Sequence, residues 1–152
     1  MKIVYILTFY LALQANVYAG KINLNYVREN YGKAVNDKKL CAQLIESLEA
    51  RKDETVFLAY LGGLQTIWAN HVVNPISKFS TFKKGKNNIE SAVKQDVNNI
   101  EIRFIRLSVQ KNAPSFLGYN KNRNEDISFL KKHRSEITSP LLLKMINELL
   151  KE

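Results

Sequence analysis

Cysteine is almost missing from this chain: Cys41 is the only one in 152 residues. A single thiol cannot close an internal disulfide, so packing alone must hold the fold. The two histidines, His71 and His133, stand far apart with no H-E-x-x-H spacing, and with no second cysteine they do not make a zinc ligand set. Only three prolines and six glycines are present. With no run of alternating β-branched residues beside them, this scarcity points away from sheet and toward helix throughout. Neither a G-x-S-x-G elbow nor a phosphate-cradling glycine loop occurs. The paired glycines of "YLGGLQ" fall inside an apolar helical run, where they cannot wrap a phosphate. Asp96 and Glu101 could be imagined as an acid pair, but nothing around them suits a sugar. These absences predict a protein without catalytic motif, cofactor or metal.

Acidic residues are also in short supply, with 14 Asp and Glu against 23 Lys and Arg and a formal net charge of +9. The N-terminus explains where that charge would act. Lys2, the uncharged run "IVYILTFYLAL" and "VYA" ending at Ala19 have the three-part pattern of a secretory signal peptide. The run is shorter than the about 20 apolar residues a transmembrane helix needs. We therefore expect residues 1–19 to be a signal peptide cleaved after Ala19, the alternative being an uncleaved anchor. Residues 20–152 are then one exported domain, periplasmic or extracellular, with no transmembrane span. Losing Lys2 leaves that domain at +8. Basic charge outside the cytoplasm suits an anionic envelope component, a protein or a peptide rather than nucleic acid. The clusters Lys78, Lys83, Lys84, Lys86 and Lys131, Lys132, Arg134 have the ordinary look of solvated helix faces.

The apolar residues recur at helical spacing along the rest of the chain. Ile22, Tyr26, Val27 and Tyr31 mark a first helix, and Asn36 or Asp37 is placed to cap a second, "KKLCAQLIESLEARK", in which Cys41 is a buried small hydrophobe. The third, "TVFLAYLGGLQTIWANHVV", ends near Asn74 and Pro75. Plotted at 100° per residue, Phe57, Tyr60, Leu61, Leu64, Ile67 and Trp68 gather on one face. Ala59, Gly62, Gly63, Thr66 and Ala69 gather on the other, where a second helix can come close. Two adjacent glycines cost a helix about 1–2 kcal/mol relative to alanine, which close packing would explain. "ISKFSTFKKGKNNIESAVKQDVNN" reads as one helix or two, with Phe79, Phe82, Ile89, Ala92 and Val93 inward. A helix stopped by Pro114 follows, then the connection "SFLGYNKNRN", the short helix "EDISFLKKH", and "LLLKMINELLK" capped by Ser139 and Pro140. The expected fold is all-α: a single domain of about six or seven antiparallel helices, with Trp68, Phe57, Leu61, Phe104 and Ile105 in its core.

Gly85, Ile89, Ala92 and Val97, followed by "DVNN" at 96–99, resemble the second helix and "DPNN"-type turn of a tetratricopeptide repeat. The resemblance covers about a third of the chain and implies a tetratricopeptide-like helical hairpin array. It departs from the family's pattern in three ways: Gly62 and Gly85 are 23 positions apart, nearly twice the standard spacing, Val97 replaces proline, and Arg103 stands where an aromatic is expected. The chain as a whole resembles a family of small exported bacterial proteins, which implies export and brings no activity.

Two arginines stand out. In "NNIEIRFIRLSVQ", Ile102, Ile105 and Val109 form one apolar face and Ile100, Phe104 and Leu107 another, leaving Arg103, Arg106 and Gln110 on the strip between. Such a strip could face water. It could instead form a half-buried ion-pair site with Glu101, or with acids of another helix such as Asp96, Glu125 and Asp126. Two functions are open: a helical binding or scaffold protein, or a small anionic-ligand protein or enzyme centred on Arg103, Arg106 and Tyr119, since guanidinium groups suit carboxylate and phosphate. The candidate residues are Glu101, Arg103, Arg106, Gln110 and Tyr119.

Overall fold

A computed structural model describes residues 22–151; the expected signal segment 1–19 and its cleavage point lie outside them. Seven α-helices follow in order: α1 Leu24–Tyr31, α2 Lys38–Glu49, α3 Thr55–His71, α4 Pro75–Gln95, α5 Ile100–Asn112, α6 Arg123–His133 and α7 Pro140–Lys151. No strand occurs among the described residues. The helix starts are locally encoded. Asn23, Asp37, Asn74 and Asn99 each accept a hydrogen bond from a backbone N–H of the first turn they precede, satisfying donors that helix geometry leaves orphaned. Pro75 stands at the start of α4, where a missing N–H does no harm. Pro114 lies just past the end of α5.

Helix α3 is the centre of the bundle. Every residue from Phe57 to Thr66 is buried, as is Ala69, so the helix is covered on all sides rather than along one stripe. Its large residues meet the core formed by Leu44, Leu48, Ile89, Ile102 and Ile105. Its small residues admit two other elements. A Cβ on Gly62 would stand 2.6 Å from the Gly85 carbonyl oxygen, and one on Gly85 would stand 2.5 Å from the Gly62 oxygen. Helices α3 and α4 therefore touch backbone to backbone at this pair, which accounts for glycine inside both. Gly63 faces the ring of Tyr31 from α1. The pairing of α3 with α4 is antiparallel, since Thr55 reaches Gln95, Gln65 accepts from Asn88, and Gly85 packs on Thr66.

Two expected core residues are placed differently. Phe57, Leu61, Phe104 and Ile105 are buried, but Trp68 is only partly covered; its ring lies against His71 and under the Lys38 ammonium. Phe79, expected inward, is 57% exposed. The reason is helix length. At 21 residues α4 is longer than the 17-residue α3 it packs on, and residues 75–80 are all exposed, so its first turns run past the cover of the neighbouring helices.

Candidate functional site

The strip on α5 is buried. Arg103 and Arg106 are 7% and 4% exposed, and both turn to α6, where Asp126 is completely buried between them. Arg106 donates from Nε and Nη2 to the two Asp126 oxygens, each at 2.7 Å, the bidentate geometry for which guanidinium is suited. Arg103 Nε lies 2.5 Å from Asp126 Oδ1, off the line of a hydrogen bond. Its Nη2 donates to Glu125, and its guanidinium lies 4.7 Å over the Phe129 ring. From α4, Glu90 lies 3.5 Å from Arg106 Nη1 and accepts the Tyr119 hydroxyl at 2.6 Å. Burial works against the Arg106 charge, but the hydrogen-bonded Asp126, with Glu90 and Glu125, more than offsets it and raises the pKa. Glu125 is held below the usual carboxylate range, first by the Asn122 amide and, against the opposing effect of desolvation, also by the two arginines. Burial, then Glu90, pushes the Tyr119 phenol far above its ordinary value.

Of the five candidates, three meet in this seam: Arg103, Arg106 and Tyr119. Glu101 is elsewhere on α5. It takes two hydrogen bonds from Arg28 of α1, at 2.7 and 2.6 Å, and one from the buried Tyr60 hydroxyl of α3 at 2.7 Å. Burial first, and the Glu101 charge second, drives the Tyr60 pKa well above 10. Gln110 is 2% exposed, and neither of its amide atoms has a hydrogen-bond partner among the described residues. Asp96, offered as an arginine partner, instead accepts from Asn99 at the α4–α5 turn. Sequence reasoning missed Glu90, Arg28 and Tyr60 as partners. Each stands on a different helix from its partner on α5, and no local spacing reports such a pairing.

A second feature lies at the other end of α5. Its last turns, with Ser108, Val109, Asn112 and Ala113, form one wall of an apolar groove of about 590 Å³. The other walls come from Tyr31 and Val35, from Thr66, Ile67, Ala69 and Asn70 at the end of α3, from Pro75, Lys78, Phe79 and Phe82 of α4, and from Pro114, Phe116 and Leu117. Three turns converge here because α3 and α5 end together, with the 3₁₀ turn Lys33–Val35 tied to them by the His71 imidazole against the Ala34 carbonyl at 3.0 Å. Large apolar side chains project from these turns: Val73 is 95% exposed, Ile76 81% and Phe116 84%, beside Phe79. A readable signal existed. "HVVNPIS" and "APSFLG" put bulky apolar residues in turns, where solvent-facing turns ordinarily carry small or polar ones.

Among the described residues no group of His, Cys, Asp and Glu is arranged to hold a metal ion, and no helix is long and apolar enough to cross a membrane. Comparison with protein-family models, with curated proteins and with solved structures gives no match.

Proposed function

We propose that this chain is an exported, non-enzymatic helical binding protein whose partner docks at the groove end of the bundle. One observation carries the reading: four large apolar side chains, Val73, Ile76, Phe79 and Phe116, stand in water around an apolar groove. Uncovered patches of this kind mark interaction sites, and the groove volume falls within the range of ligand clefts, roughly 300–1,000 Å³. Export is supported by the pattern from Lys2 to Ala19. It would place a basic surface among anionic envelope components.

The other reading, an anionic ligand or reaction at Arg103, Arg106 and Tyr119, has less support. Two guanidinium groups there face three carboxylates, Asp126, Glu125 and Glu90, so the cluster carries a formal excess of negative charge and repels an anion. Hydroxyl-radical footprinting of the chain in an envelope extract separates the two readings. Docking at the groove end protects Phe79 and Phe116 and leaves the exposed Tyr26 unchanged. Protection at Tyr26 alone, or at none of the three, removes the groove end as the binding surface.

A further inference from the structure

We infer that the partner of the groove end is an anionic lipid bilayer, into whose interface Val73, Ile76, Phe79 and Phe116 insert while flanking lysines meet the headgroups. This rests on the groove end being the binding surface, and it is argued from shape and from charge.

The shape is that of a set of projections around a groove. Val73 stands on the α3–α4 turn, Ile76 and Phe79 on the overhanging first turns of α4, and Phe116 on the 3₁₀ turn after α5. Val35, on a third turn, is also exposed. A folded protein partner would need a matching pit for each projection. The acyl boundary of a bilayer accepts them without complementary shape, and side chains of this type lower their free energy by leaving water.

The charge is one-sided. Every residue lining the groove falls in one of three segments, 30–36, 55–89 and 102–124, and none of these contains a single Asp or Glu. They do contain Lys33 beside Val35 and Lys78 on the groove wall, with Lys83 and Lys86 further along α4. Lys78 and Lys83 have no acidic partner among the described residues. The carboxylate of Asp37, which follows the Val35 turn, accepts the Leu40 N–H as a helix cap. Arg103 and Arg106 of segment 102–124 are neutralised in the seam and add nothing here. Apolar tips flanked by lysines that have no acidic partner among the described residues are the combination that holds a protein on an anionic interface, through buried apolar area plus electrostatic attraction. The same ring would also attract an acidic peptide, which the experiment must distinguish.

Co-sedimentation of the full chain with lipid vesicles tests the inference. The vesicles are phosphatidylcholine alone or an equal mixture with phosphatidylglycerol. The chain is expected to sediment with the mixed vesicles and to be released by high salt. Ile76→Asp combined with Phe116→Asp should lower the partition by at least about tenfold, and Lys33→Glu combined with Lys78→Glu should abolish the preference for phosphatidylglycerol. Val97→Asp is the control, because Val97 is also an exposed apolar residue, but at the α4–α5 turn, at the opposite end of the bundle. It should bind as wild type does. Every variant carries the same N-terminal segment, so differences among them report the groove end. Circular dichroism confirms that each is folded. A wild-type chain left in the supernatant, or a Val97→Asp loss equal to that of the double variant, overturns the inference. If vesicles fail while a lipid-free envelope extract still protects Phe79 and Phe116 from radicals, the bilayer is wrong and the binding surface stands. If neither protects them, both fall.

Discussion

Helix α5 carries the two most unusual features of this protein, and it treats them in opposite ways. Near its middle, Arg103 and Arg106 are closed over by Asp126, Glu125 and Glu90. At its C-terminal end, the groove and the apolar turns around it are left open. Energy scales explain the difference. A buried charge without a partner is penalised by several kcal/mol even after relaxation, so a fold that buries arginine must bring acids to it. An exposed Phe or Ile forgoes only about 1.5–3 kcal/mol, which a stable bundle tolerates. The seam is therefore closed by necessity, and the groove can stay open without unfolding anything.

The comparison breaks most readily at Asp126. Replacing it with alanine leaves two buried guanidinium groups short of their shared carboxylate, and stability should fall by about 3–5 kcal/mol, read as the urea midpoint. A loss under about 1 kcal/mol would show that the seam is not what holds α5 to α6. Next in size is the α3–α4 crossing, which sets the groove's two main walls. Gly62→Leu should destabilise by about 1–3 kcal/mol through overpacking, at the upper end because its Cβ meets backbone atoms of Gly85 and Ile89, which cannot yield as the tip of a side chain does. An unchanged thermal midpoint would end the backbone-contact account.

Titration sharpens the contrast further. Burial pushes Tyr31 up to about 12 and Tyr60 well above 10. A raised pKa in the folded state means that the folded chain keeps these protons when the unfolded chain loses them. The Cys41 thiol, pushed up to about 11 by burial, acts in the same direction from a lower starting point, so stability should hold below about pH 9 and fall steadily from there toward 12, as urea melts across that range would show. Glu125 has the opposite sign. Its lowered pKa contributes stability above the ordinary carboxylate range and loses it as pH falls below, a small effect because Glu125 is 55% exposed. The smallest change is expected at the groove end. Phe116→Ser should shift stability by no more than about 0.5 kcal/mol, since Phe116 covers nothing in the free protein; a larger drop would mean that the turn is part of the core after all.

Gln110 shares the arginine strip yet obeys neither rule, because its amide is buried with no partner among the described residues. An apolar residue of similar size removes that unmet polar group, so Gln110→Met should be neutral or raise stability by up to about 1 kcal/mol.

The amino-acid sequence by itself determined that the chain is helical, where most helices begin, and that α3 has a large apolar side for the core and a small-residue side for close packing. Each of those depends on residues within a few positions of one another: Asp37 caps Leu40, Pro114 stops α5, and Gly62 leaves room wherever its neighbour comes from. The strip of Arg103, Arg106 and Gln110 was legible for the same reason, and so was the choice between water and acids as its surroundings. Only the tertiary structure decided between them, and only it assigned Glu101 to Arg28 and Tyr60 and brought Glu90 to Arg106. Those contacts span 16 to 73 residues of chain and follow from how the helices cross. Trp68 and Phe79 show the same limit. Periodicity tells which side of a helix is apolar, but whether that side is covered depends on where the neighbouring helices end.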